Sequence, residues 1–485
     1  MSTFRELPRF MVSATHKSSG KTTISIGLCR ALAQRGRVVQ AFKKGPDYID
    51  PMWLAAATGR PCRNLDPYLV DGDEDRRAFL RHAANADLCV VEANKGLFDG
   101  VSLDGCDSNA AVAKALGLPV LLVIDARGMT RGVAPLLLGY QAFDRDVRIA
   151  GVILNQVGGA RHEAKLRRVI EHYTDVPVIG AVHRDERLAM VERHIGLVPS
   201  AEADGAEGRI AAIAAAVAAQ VDLDAVLGIA HAAPPVGRPD AAPTAPRAMP
   251  EPDVRIGVVQ DRAFNFYYAD DFDALRAAGA QLVSIDALAD TQLPDIDGLF
   301  IGGGFPEVFA AELEANHALR TRLRSAIEGG LPVYAECGGL MYLARSVTWQ
   351  GRTHRMVGAL PGDAVMHPRP VGRGYVELAE TSVFPWGGAS ARRVRAHEFH
   401  HSRLENLPAD ACFAYDVKRG YGIDGRRDGL VVRNVLASYA HLRSAGAAPW
   451  AHRFVAFVRG VNYRRRGQDN VVYLASPRTR EPVEI

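Results

Sequence analysis

The stretch RFMVSATHKSSGKTTISIGLCRALAQ, residues 9–34, decides the fold of the first half of this chain. The apolar run RFMVSA leads into a Ser-Gly-Lys-Thr loop, and a helical pattern follows in which Ile24, Leu28 and Leu32 share one face. Backbone N–H groups at the start of such a helix bind anions, and the lysine of the loop reaches the β- and γ-phosphates of a nucleotide. The consensus loop begins with a glycine where this chain has Thr15, but strand, loop and helix stand in the expected order. We therefore predict a nucleotide-binding unit rather than a turn that only caps a helix.

Short apolar runs alternate with helical patterns along most of the remaining sequence. Buried strands that alternate with helices indicate a parallel α/β sheet with both faces covered. The alternation stops in an Ala- and Pro-rich stretch and then restarts, and residues 350–435 are richer in strand patterns. We predict an α/β domain over residues 1–227, a linker over residues 228–252, a second α/β domain over residues 253–460 and a basic tail over residues 461–485.

Composition and charge argue against several classes of protein. The chain has 485 residues, 48% hydrophobic and 23% charged, and its net charge of +3 is evenly spread, which argues against nucleic acid as a partner. No apolar run reaches the ~18–20 residues that span a bilayer, and the first residues do not have the apolar core of a signal peptide. The six cysteines form no CxxC pair, which disfavours a disulfide framework and structural zinc. We expect a cytoplasmic protein without a membrane partner.

Carboxylates follow two of the predicted strands, at the edge where a parallel α/β sheet binds ligands. Asp47 and Asp50 lie in the loop of FKKGPDYIDP, although Asp-Tyr-Ile-Asp-Pro alone would also suit an ordinary turn. Glu92 ends the apolar run DLCVVE, and Asp99 follows in a glycine-bounded loop. A carboxylate at the end of a buried strand must be paired, solvated or bound to a metal, because burying it alone is very unfavourable. We predict that Glu92 and Thr22 hold Mg²⁺ beside the phosphate loop.

A candidate nucleophile stands in the second half, in LPVYAECGGLMYL. Cys337 falls at a strand-to-helix turn, where a helix N-terminus stabilises a thiolate and glycines let a carbonyl group approach the backbone. The N–H groups of Gly303, in FIGGGFPE, and of Gly338 are candidates for an oxyanion hole. The competing hypothesis is a buried structural thiol, which is the commoner fate of a cysteine. The candidates for a catalytic base are His441 in ASYAHL and, in HEFHHS, His397, His400 and His401.

The motifs occur in the order and at the spacing of one known family. They are SSGKTT, KGPDYIDP, NLDPY, VVEANKGLFDG, FNFYYADDFDALRAAGA, FIGGGFPE, AECGGLMYL, HEFHHS and ASYAHL. Over roughly residues 9–458 the chain thereby resembles the cobyrinic (or hydrogenobyrinic) acid a,c-diamide synthases, whose relatives amidate sirohydrochlorins. The resemblance implies an N-terminal ATP-dependent amidoligase domain with a phosphate-loop parallel sheet, related to dethiobiotin synthetase. It also implies a C-terminal class I glutamine amidotransferase-like domain.

The resemblance assigns expected roles to individual residues. Lys21 and Thr22 are expected to bind ATP and magnesium, with Thr22 and Glu92 as ligands of the ion. From their places in the sequence, Gly20 and Thr23 of the phosphate loop are further candidates for ATP binding, and Asn155, at a strand end, is a candidate to recognise the base. The residues expected to line the place where ATP meets a tetrapyrrole acetate are Asp47, Tyr48, Asp50 and Asp99. In the glutaminase site the expected nucleophile, base and oxyanion hole are Cys337, His441, and Gly303 with Gly338. Glu336 matches the family pattern without an assigned role, Arg193 and His194 are further candidates for nucleotide or substrate contact, and no metal site is expected at the clustered histidines.

The implied reaction uses glutamine, ATP and magnesium to amidate the a and c acetate carboxylates of cobyrinic or hydrogenobyrinic acid through acyl phosphates. The same chemistry on sirohydrochlorin or siroheme stays open, because the chain departs from the commoner family pattern at HKSSGKTT, at Ala93-Asn94 and at YGIDGRRDGLVVRN. Three competing hypotheses are a sister cobyric acid synthase, a phosphate-loop ATPase with an inert glutaminase-like domain, and a tetrapyrrole carrier. The expected partners are the tetrapyrrole, ATP and glutamine, with a homodimer left open.

Overall fold

Two large β-sheets, one in each half of the chain, organise the structure. A computed structural model describes residues 4–5, 7–70, 73–190, 192–193, 196–199, 205–237, 250–387, 392–445 and 449–465. Helices pack against both sheets, and the predicted α/β class is confirmed. Among the described residues, no helix combines the length and the apolar composition that crossing a bilayer requires.

The first sheet consists of seven parallel strands. Across the sheet their order is Arg63–Leu65, Val39–Lys44, Leu88–Glu92, Arg9–Ala14, Val120–Asp125, Ile149–Val157 and Val178–His183. The strand before the phosphate loop is therefore central, and all of its residues are buried. Because the strands are parallel, the loops that follow them meet at one edge of the sheet. The sequence patterns predict six of these strands; the seventh, with three residues, is too short to give a pattern.

Helices cover both faces of the first sheet. Their bounds are Lys21–Gln34, Ile49–Thr58, Glu74–His82, Asn109–Leu116, Val133–Phe143, Ala160–Tyr173, Ala206–Gln220 and Leu223–His231. The first helix turns the predicted face inward, since Ile24, Leu28 and Leu32 have no exposed surface. An apolar cluster on each face of the sheet holds the layers together.

The second sheet has nine strands and changes from parallel to antiparallel pairing halfway across. Its order is Ala280–Ile285, Val254–Val259, Gly298–Ile301, Val333–Glu336, Val435–Ser438, Arg427–Val432, Cys412–Arg419, Gly372–Glu380 and Arg393–His400. The first five strands are parallel, and the others join by antiparallel pairs, which agrees with the strand patterns of residues 350–435. The helices of this half are Ala269–Ala277, Ala310–Ala315, His317–Glu328, Gly338–Leu343 and Trp450–Arg465.

Smaller elements complete the fold. A four-stranded sheet has the order Arg352–Arg355, Ser346–Trp349, Asp363–Met366 and Ser402–Glu405. Three short antiparallel pairs are Phe264–Phe266 with Gly303–Gly304, Glu192–Arg193 with Gly196–Leu197, and Phe4–Arg5 with Val236–Gly237. Two 3₁₀ turns span Ala83–Asn85 and Glu186–Leu188.

Helices extend across two of the predicted boundaries. The helix Leu223–His231 enters the predicted linker, because its apolar residues recur at helical spacing and face the core. The helix Trp450–Arg465 enters the predicted basic tail for the same reason, and Val461 within it is buried. Residues 238–249 of the linker and 466–485 of the tail lie outside the described residues.

The two halves contact each other beside the edge where the loops of the first sheet meet. Arg63 donates to Asp270 and Asp273 across the interface, at 3.0 and 2.6 Å. Tyr375 of the second half donates to Asp66 of the first half at 2.9 Å. The loops of the first sheet and the second domain therefore form one continuous region.

Candidate active site

The phosphate loop ends at Gly20, the residue before the first helix. Gly20 adopts the left-handed conformation, with φ 88°, and no side chain caps the helix. The first N–H groups of the helix are therefore free to bind an anion. Asn155 donates to the Ser19 carbonyl at 2.9 Å, and a Cβ added at Gly20 would lie 2.0 Å from its amide nitrogen. Asn155 thus holds the loop in shape, and its predicted recognition of the base stays a prediction.

Lys21 is the first residue of the first helix, and its ammonium group is directed back at the loop backbone. Its Nζ donates to the His16 carbonyl at 3.3 Å, and 6% of the residue is exposed. Burial, followed by the charge of Lys43, lowers the pKa of Lys21 to about 8. A phosphate group bound here would counter both effects and keep the ammonium charged. Thr23 lies two residues further along the same helix and is partly buried.

A buried lysine holds together the carboxylates predicted at the sheet edge. Nζ of Lys43 lies 2.5 Å from Asp50, 2.7 Å from Glu92 and 3.8 Å from Asp47. Burial opposes its charge, but Asp50 and Glu92 outweigh this and raise the pKa of Lys43. The sequence patterns did not single out Lys43, although Lys43 and Glu92 are register partners on adjacent strands and so point to the same face.

The predicted magnesium ligands are neighbours. Oγ1 of Thr22 donates to Glu92 at 2.8 Å and to Asp50 at 3.2 Å. The other oxygen of Glu92, Oε2, is buried and has no hydrogen-bond partner among the described residues. A hydroxyl and carboxylates are the oxygen ligands that Mg²⁺ prefers, so this set fits the ion. The structure adds Asp50 to the predicted pair.

The remaining predicted substrate residues surround this cluster. Asp47 accepts from the N–H groups of Ile49 and Asp50, both at 3.0 Å, and so shapes the start of the helix Ile49–Thr58. Asp99 is exposed, and its carboxylate accepts from the N–H of Gly96 at 2.8 Å. Asp99 is therefore held by its own loop rather than by the lysine-centred cluster.

Cys337 lies at a strained turn between the strand Val333–Glu336 and the helix Gly338–Leu343. Its backbone has φ 47° and ψ −99°, a conformation that a residue with a side chain rarely adopts. The N–H of Cys337 donates to the Ser438 carbonyl on the neighbouring strand at 2.7 Å, which helps to hold the turn. Strain of this kind clusters at functional sites, where surrounding contacts maintain it.

His441 and Glu336 complete the arrangement around this cysteine. Nδ1 of His441 lies 3.4 Å from Oε2 of Glu336, and both side chains are buried. Burial opposes protonation of His441, but its interactions with Cys337 and Glu336 outweigh burial and raise the pKa to about 10. Glu336 is held in place by the Tyr334 hydroxyl and by the N–H of Leu442 at 2.8 Å. The predicted nucleophile, the predicted base and a carboxylate in a position to orient that base therefore lie together.

The predicted oxyanion glycines lie against the same site. A Cβ on Gly303 would lie 2.6 Å from Cε1 of His441, so only glycine fits beside the imidazole. A Cβ on Gly338 would lie 3.0 Å from the backbone nitrogen of Gly304, so these backbones are in direct contact. The structure thus brings Gly303 and Gly338 together around Cys337. Their N–H groups remain the predicted oxyanion donors.

The other histidines of HEFHHS have separate surroundings. His397 exchanges backbone hydrogen bonds with His441, at 2.7 and 3.2 Å, and supports the strand beside the base. His400 bonds to the Ser402 carbonyl at 2.8 Å and stacks on Tyr439, while His401 lies 3.3 Å from the His367 carbonyl. Within the described ranges, the one group of three His, Cys, Asp or Glu side chains close enough to share a metal ion is His82 with Asp270 and Asp273, and Arg63 already pairs with both carboxylates.

Two predicted contact residues are described only in part or not at all. Arg193 belongs to the short strand Glu192–Arg193. His194 lies outside the described residues. Their predicted contacts with nucleotide or substrate stay predictions.

Tyr48 connects the two clusters of functional residues. It lies between Asp47 and Asp50 in sequence, and its ring centroid is 5.1 Å from that of His441. The same ring stacks on Phe266 at 5.5 Å. The phosphate-loop cluster and the cysteine site therefore meet across one side chain.

Comparison with known proteins gives two family matches and close relatives. Residues 10–198 match the CobQ/CobB/MinD/ParA nucleotide binding domain, and residues 255–448 match the CobB/CobQ-like glutamine amidotransferase domain. The cobyrinate a,c-diamide synthase of Magnetococcus marinus is 45% identical over 93% of this chain and 97% of its own length. The cobyrinate a,c-diamide synthase of Methanosarcina acetivorans is 44% identical over 90% of this chain and 92% of its own length. The solved structure of PurLQS from Thermotoga maritima is 17% identical and covers 44% of this chain and 99% of its own, with a TM-score of 0.34.

The relatives match the chain almost from end to end, across both domains and the region between them. Both family matches enclose the clusters described above, the nucleotide-binding match around Lys21 and Glu92 and the amidotransferase match around Cys337. This chain is a glutamine-hydrolysing, amide-forming ligase and belongs to the cobyrinate a,c-diamide synthase family.

Proposed function

We propose that the chain uses ammonia from glutamine to amidate the a and c acetate carboxylates of cobyrinic or hydrogenobyrinic acid, after ATP has activated each carboxylate as an acyl phosphate. The observation that carries this proposal is the position of Tyr48. Its chain neighbours belong to the lysine-centred carboxylate cluster, and its ring contacts the imidazole of His441. Two sites joined in this way suit one reaction, in which the nucleotide site consumes the ammonia that the cysteine site releases.

In the glutaminase site, the sulfur of Cys337 attacks the carboxamide carbon of glutamine. His441 holds the proton given up by the thiol, which its raised pKa favours, and donates it to the departing ammonia. The neutral imidazole then takes a proton from the water that hydrolyses the thioester. Backbone N–H groups at Gly303 and Gly338 stabilise the oxyanion in both steps. Glu336 keeps the imidazole oriented and favours its charged form, as its 3.4 Å distance from Nδ1 supports.

In the synthetase site, a substrate carboxylate attacks the γ-phosphate of ATP and displaces ADP. Ammonia then attacks the acyl carbon and displaces phosphate, which leaves the amide. A bound Mg²⁺ ion would neutralise the charge that spreads over the transferring phosphoryl group. Lys21 and the N–H groups of the first helix hold the phosphates, while Thr22, Asp50 and Glu92 would hold the ion.

Ammonia has a short route between the two sites. Phe266 and Tyr268 are almost completely buried, and both rings contact the ring of Tyr48. Buried apolar surface excludes water and disfavours the charged ammonium ion, so ammonia stays neutral and nucleophilic along it. His397 beside His441 is also neutral, because burial lowers its pKa to about 3.

The relatives support cobyrinic acid as the substrate, because their names specify cobyrinate. Sirohydrochlorin remains the second candidate, because the departures at HKSSGKTT and at Ala93-Asn94 fall in the loops beside the carboxylate cluster. A phosphate-loop ATPase with an inert second domain is disfavoured, because Cys337, His441 and Glu336 are arranged as a working glutaminase requires.

The decisive experiment supplies ATP, Mg²⁺ and glutamine with either cobyrinic acid or sirohydrochlorin. Each amidation exchanges a hydroxyl for an amino group, so mass spectrometry counts the amides directly. We expect a diamide from cobyrinic acid, and Cys337→Ser is expected to form it only when ammonium chloride replaces glutamine. Cys412→Ser, at an exposed cysteine, is the matched control. A diamide from sirohydrochlorin alone, or glutamine-dependent product from Cys337→Ser, would contradict the proposal.

A further inference from the structure

The segment after His441 is tied to the glutaminase site by its backbone. The N–H of Leu442 donates to Oε1 of Glu336 at 2.8 Å, on the carboxylate that orients His441. The next residue, Arg443, is 4% exposed. A displacement of Arg443 is therefore passed to His441 along the short stretch of backbone between them and also through Glu336, the acid that orients the imidazole.

The side chain of Arg443 leaves this site and enters the first domain. Nη2 donates to the carbonyl of Asn64 at 2.5 Å and to Asp270 at 3.0 Å. Nη1 lies 3.6 Å from Asp75, on the helix Glu74–His82 of the first domain. A planar guanidinium carries several donors in fixed directions and can contact Asn64, Asp270 and Asp75 at once, which a lysine ammonium on its flexible stem cannot. Arg443 thus connects the segment that carries the base to a particular backbone group of the first domain.

Asn64 continues the connection to the carboxylate loop. Its side-chain amide donates to the carbonyls of Gly45 and Asp47, at 2.9 and 2.8 Å, and the residue is 4% exposed. The loop that carries Asp47 and Tyr48, and that leads into the helix containing Asp50, is therefore fixed to the same residue that accepts from Arg443.

These contacts form a closed circuit between the two sites. This circuit runs from His441 through Arg443 and Asn64 to the loop at Asp47. Tyr48, in the same loop, closes it, because its ring centroid lies 5.1 Å from that of His441. We propose that Arg443 and Asn64 are positioning residues that make glutamine hydrolysis depend on occupancy of the nucleotide and acceptor site. This inference rests on the proposed function of the two sites.

The loop has a physical reason to move when ligands bind. In the structure Asp50 is paired with the ammonium group of Lys43. Phosphate and magnesium would bring new charges to this carboxylate and change its partners, so the loop must adjust. Because Asn64 binds the loop and Arg443 through short hydrogen bonds, the adjustment is passed to the segment beside His441 through contiguous contacts.

The test measures glutamate release from glutamine with and without ATP, Mg²⁺ and cobyrinic acid. In the unaltered chain, the complete mixture is expected to raise glutamate release by at least about fivefold, the lower end of the usual range for coupled sites. Arg443→Gln and Asn64→Ala are each expected to abolish most of this stimulation. Amidation with ammonium chloride should be retained in both, which a general loss of folding would not allow.

Arg63→Gln is the matched control. It removes another arginine of the same interface, which pairs with Asp273 and shares Asp270 with Arg443 but, among the described residues, donates no side-chain hydrogen bond to Asn64 or to the loop at Asp47. This variant is expected to keep the stimulation. Asn64→Ala leaves every charge at the interface in place, so it still tests the proposal if the loss of Arg443 prevents folding. Arg443→Lys keeps the positive charge but lacks the forked donors of the guanidinium, and it is expected to retain only part of the stimulation.

Three outcomes would overturn the proposal. These are a chain that amidates its substrate but hydrolyses glutamine at the same rate without acceptor, variants that keep full stimulation, and an Arg63→Gln variant that loses stimulation as Asn64→Ala does. A chain that neither releases glutamate nor forms amide would instead overturn the proposed function itself.

Discussion

The ammonium nitrogen of Lys43 lies 2.7 Å from Oε1 of Glu92, a carboxylate with no exposed surface. The lysine occupies the centre of the carboxylates that would bind magnesium. It therefore keeps the site formed without an ion, because it neutralises groups that would otherwise repel one another.

Lys43→Met is expected to lower the free energy of unfolding by about 3–5 kcal/mol in the absence of magnesium, because it leaves buried carboxylates without a partner. Added Mg²⁺ should restore more stability to this variant than to the unaltered chain, since the ion supplies the missing charge and binds only the folded state. Urea unfolding with and without magnesium measures both effects.

Lys165→Met is the control for this prediction, because Lys165 is exposed and far from the carboxylate loops in sequence. Its stability should change little and should respond to magnesium as the unaltered chain does. An equal response of the Lys43 and Lys165 variants to magnesium would contradict the assigned place of Lys43.

Glu336→Gln is expected to reduce glutamine hydrolysis by about 10²-fold, because the imidazole of His441 loses the charge that orients and stabilises it. Amidation with ammonium chloride should be unchanged. The rate of glutamate release, compared with ammonia-dependent amidation, separates a defect in the base from a defect in folding.

Glu398→Gln makes the same chemical change at a buried carboxylate of the same sheet. Glu398 accepts from the N–H groups of Tyr421 and Gly422 and lies 3.6 Å from His400. We expect this variant to hydrolyse glutamine at nearly the normal rate. If both substitutions slow hydrolysis equally, Glu336 has only a structural role and does not act through His441.

The sequence predicts those parts of the site that depend on local order. Thr22 and Glu92 each follow a strand of a parallel sheet, so the shared edge brings them together. Cys337 can be recognised from the glycines that follow it directly in the sequence, after an apolar run. Lys43 was open to prediction in principle, because its register with Glu92 follows once the two strands are paired.

Glu336 and Arg443 had no comparable local signal. Glu336 acquires its role only when His441, more than one hundred residues later, returns beside it just after the adjoining strand Val435–Ser438. Arg443 depends on the docking of two separately folded sheets, and no periodicity in the sequence encodes that contact. Long-range pairing and domain packing therefore account for what the sequence patterns left out.

Tyr48→Ala is expected to let ammonia escape between the sites, because it removes the ring that fills the space between His441 and the carboxylate loop. Glutamate release should continue, but the amide formed per glutamate should fall severalfold. Parallel assays of glutamate and of amidated product measure this ratio.

Tyr68→Ala serves as the comparison, since Tyr68 is also an interface tyrosine but contacts Tyr375 and Glu377 instead of the base. Its ratio of amide to glutamate should stay near that of the unaltered chain. A normal ratio in Tyr48→Ala would show that ammonia takes a different route.

His397 is expected to make the protein less stable in mild acid. Burial and the nearby His441 lower its pKa from 6.5 to about 3, so below pH 6.5 the unfolded chain binds a proton that the folded chain does not. The free energy of unfolding should therefore fall as pH falls, by at most about 1.4 kcal/mol per pH unit from this group. Urea unfolding at pH 7 and pH 5 should show a smaller loss in His397→Asn than in the unaltered chain. His452→Asn, at an exposed histidine, should not reduce the loss; if it does so equally, burial of His397 is not the cause.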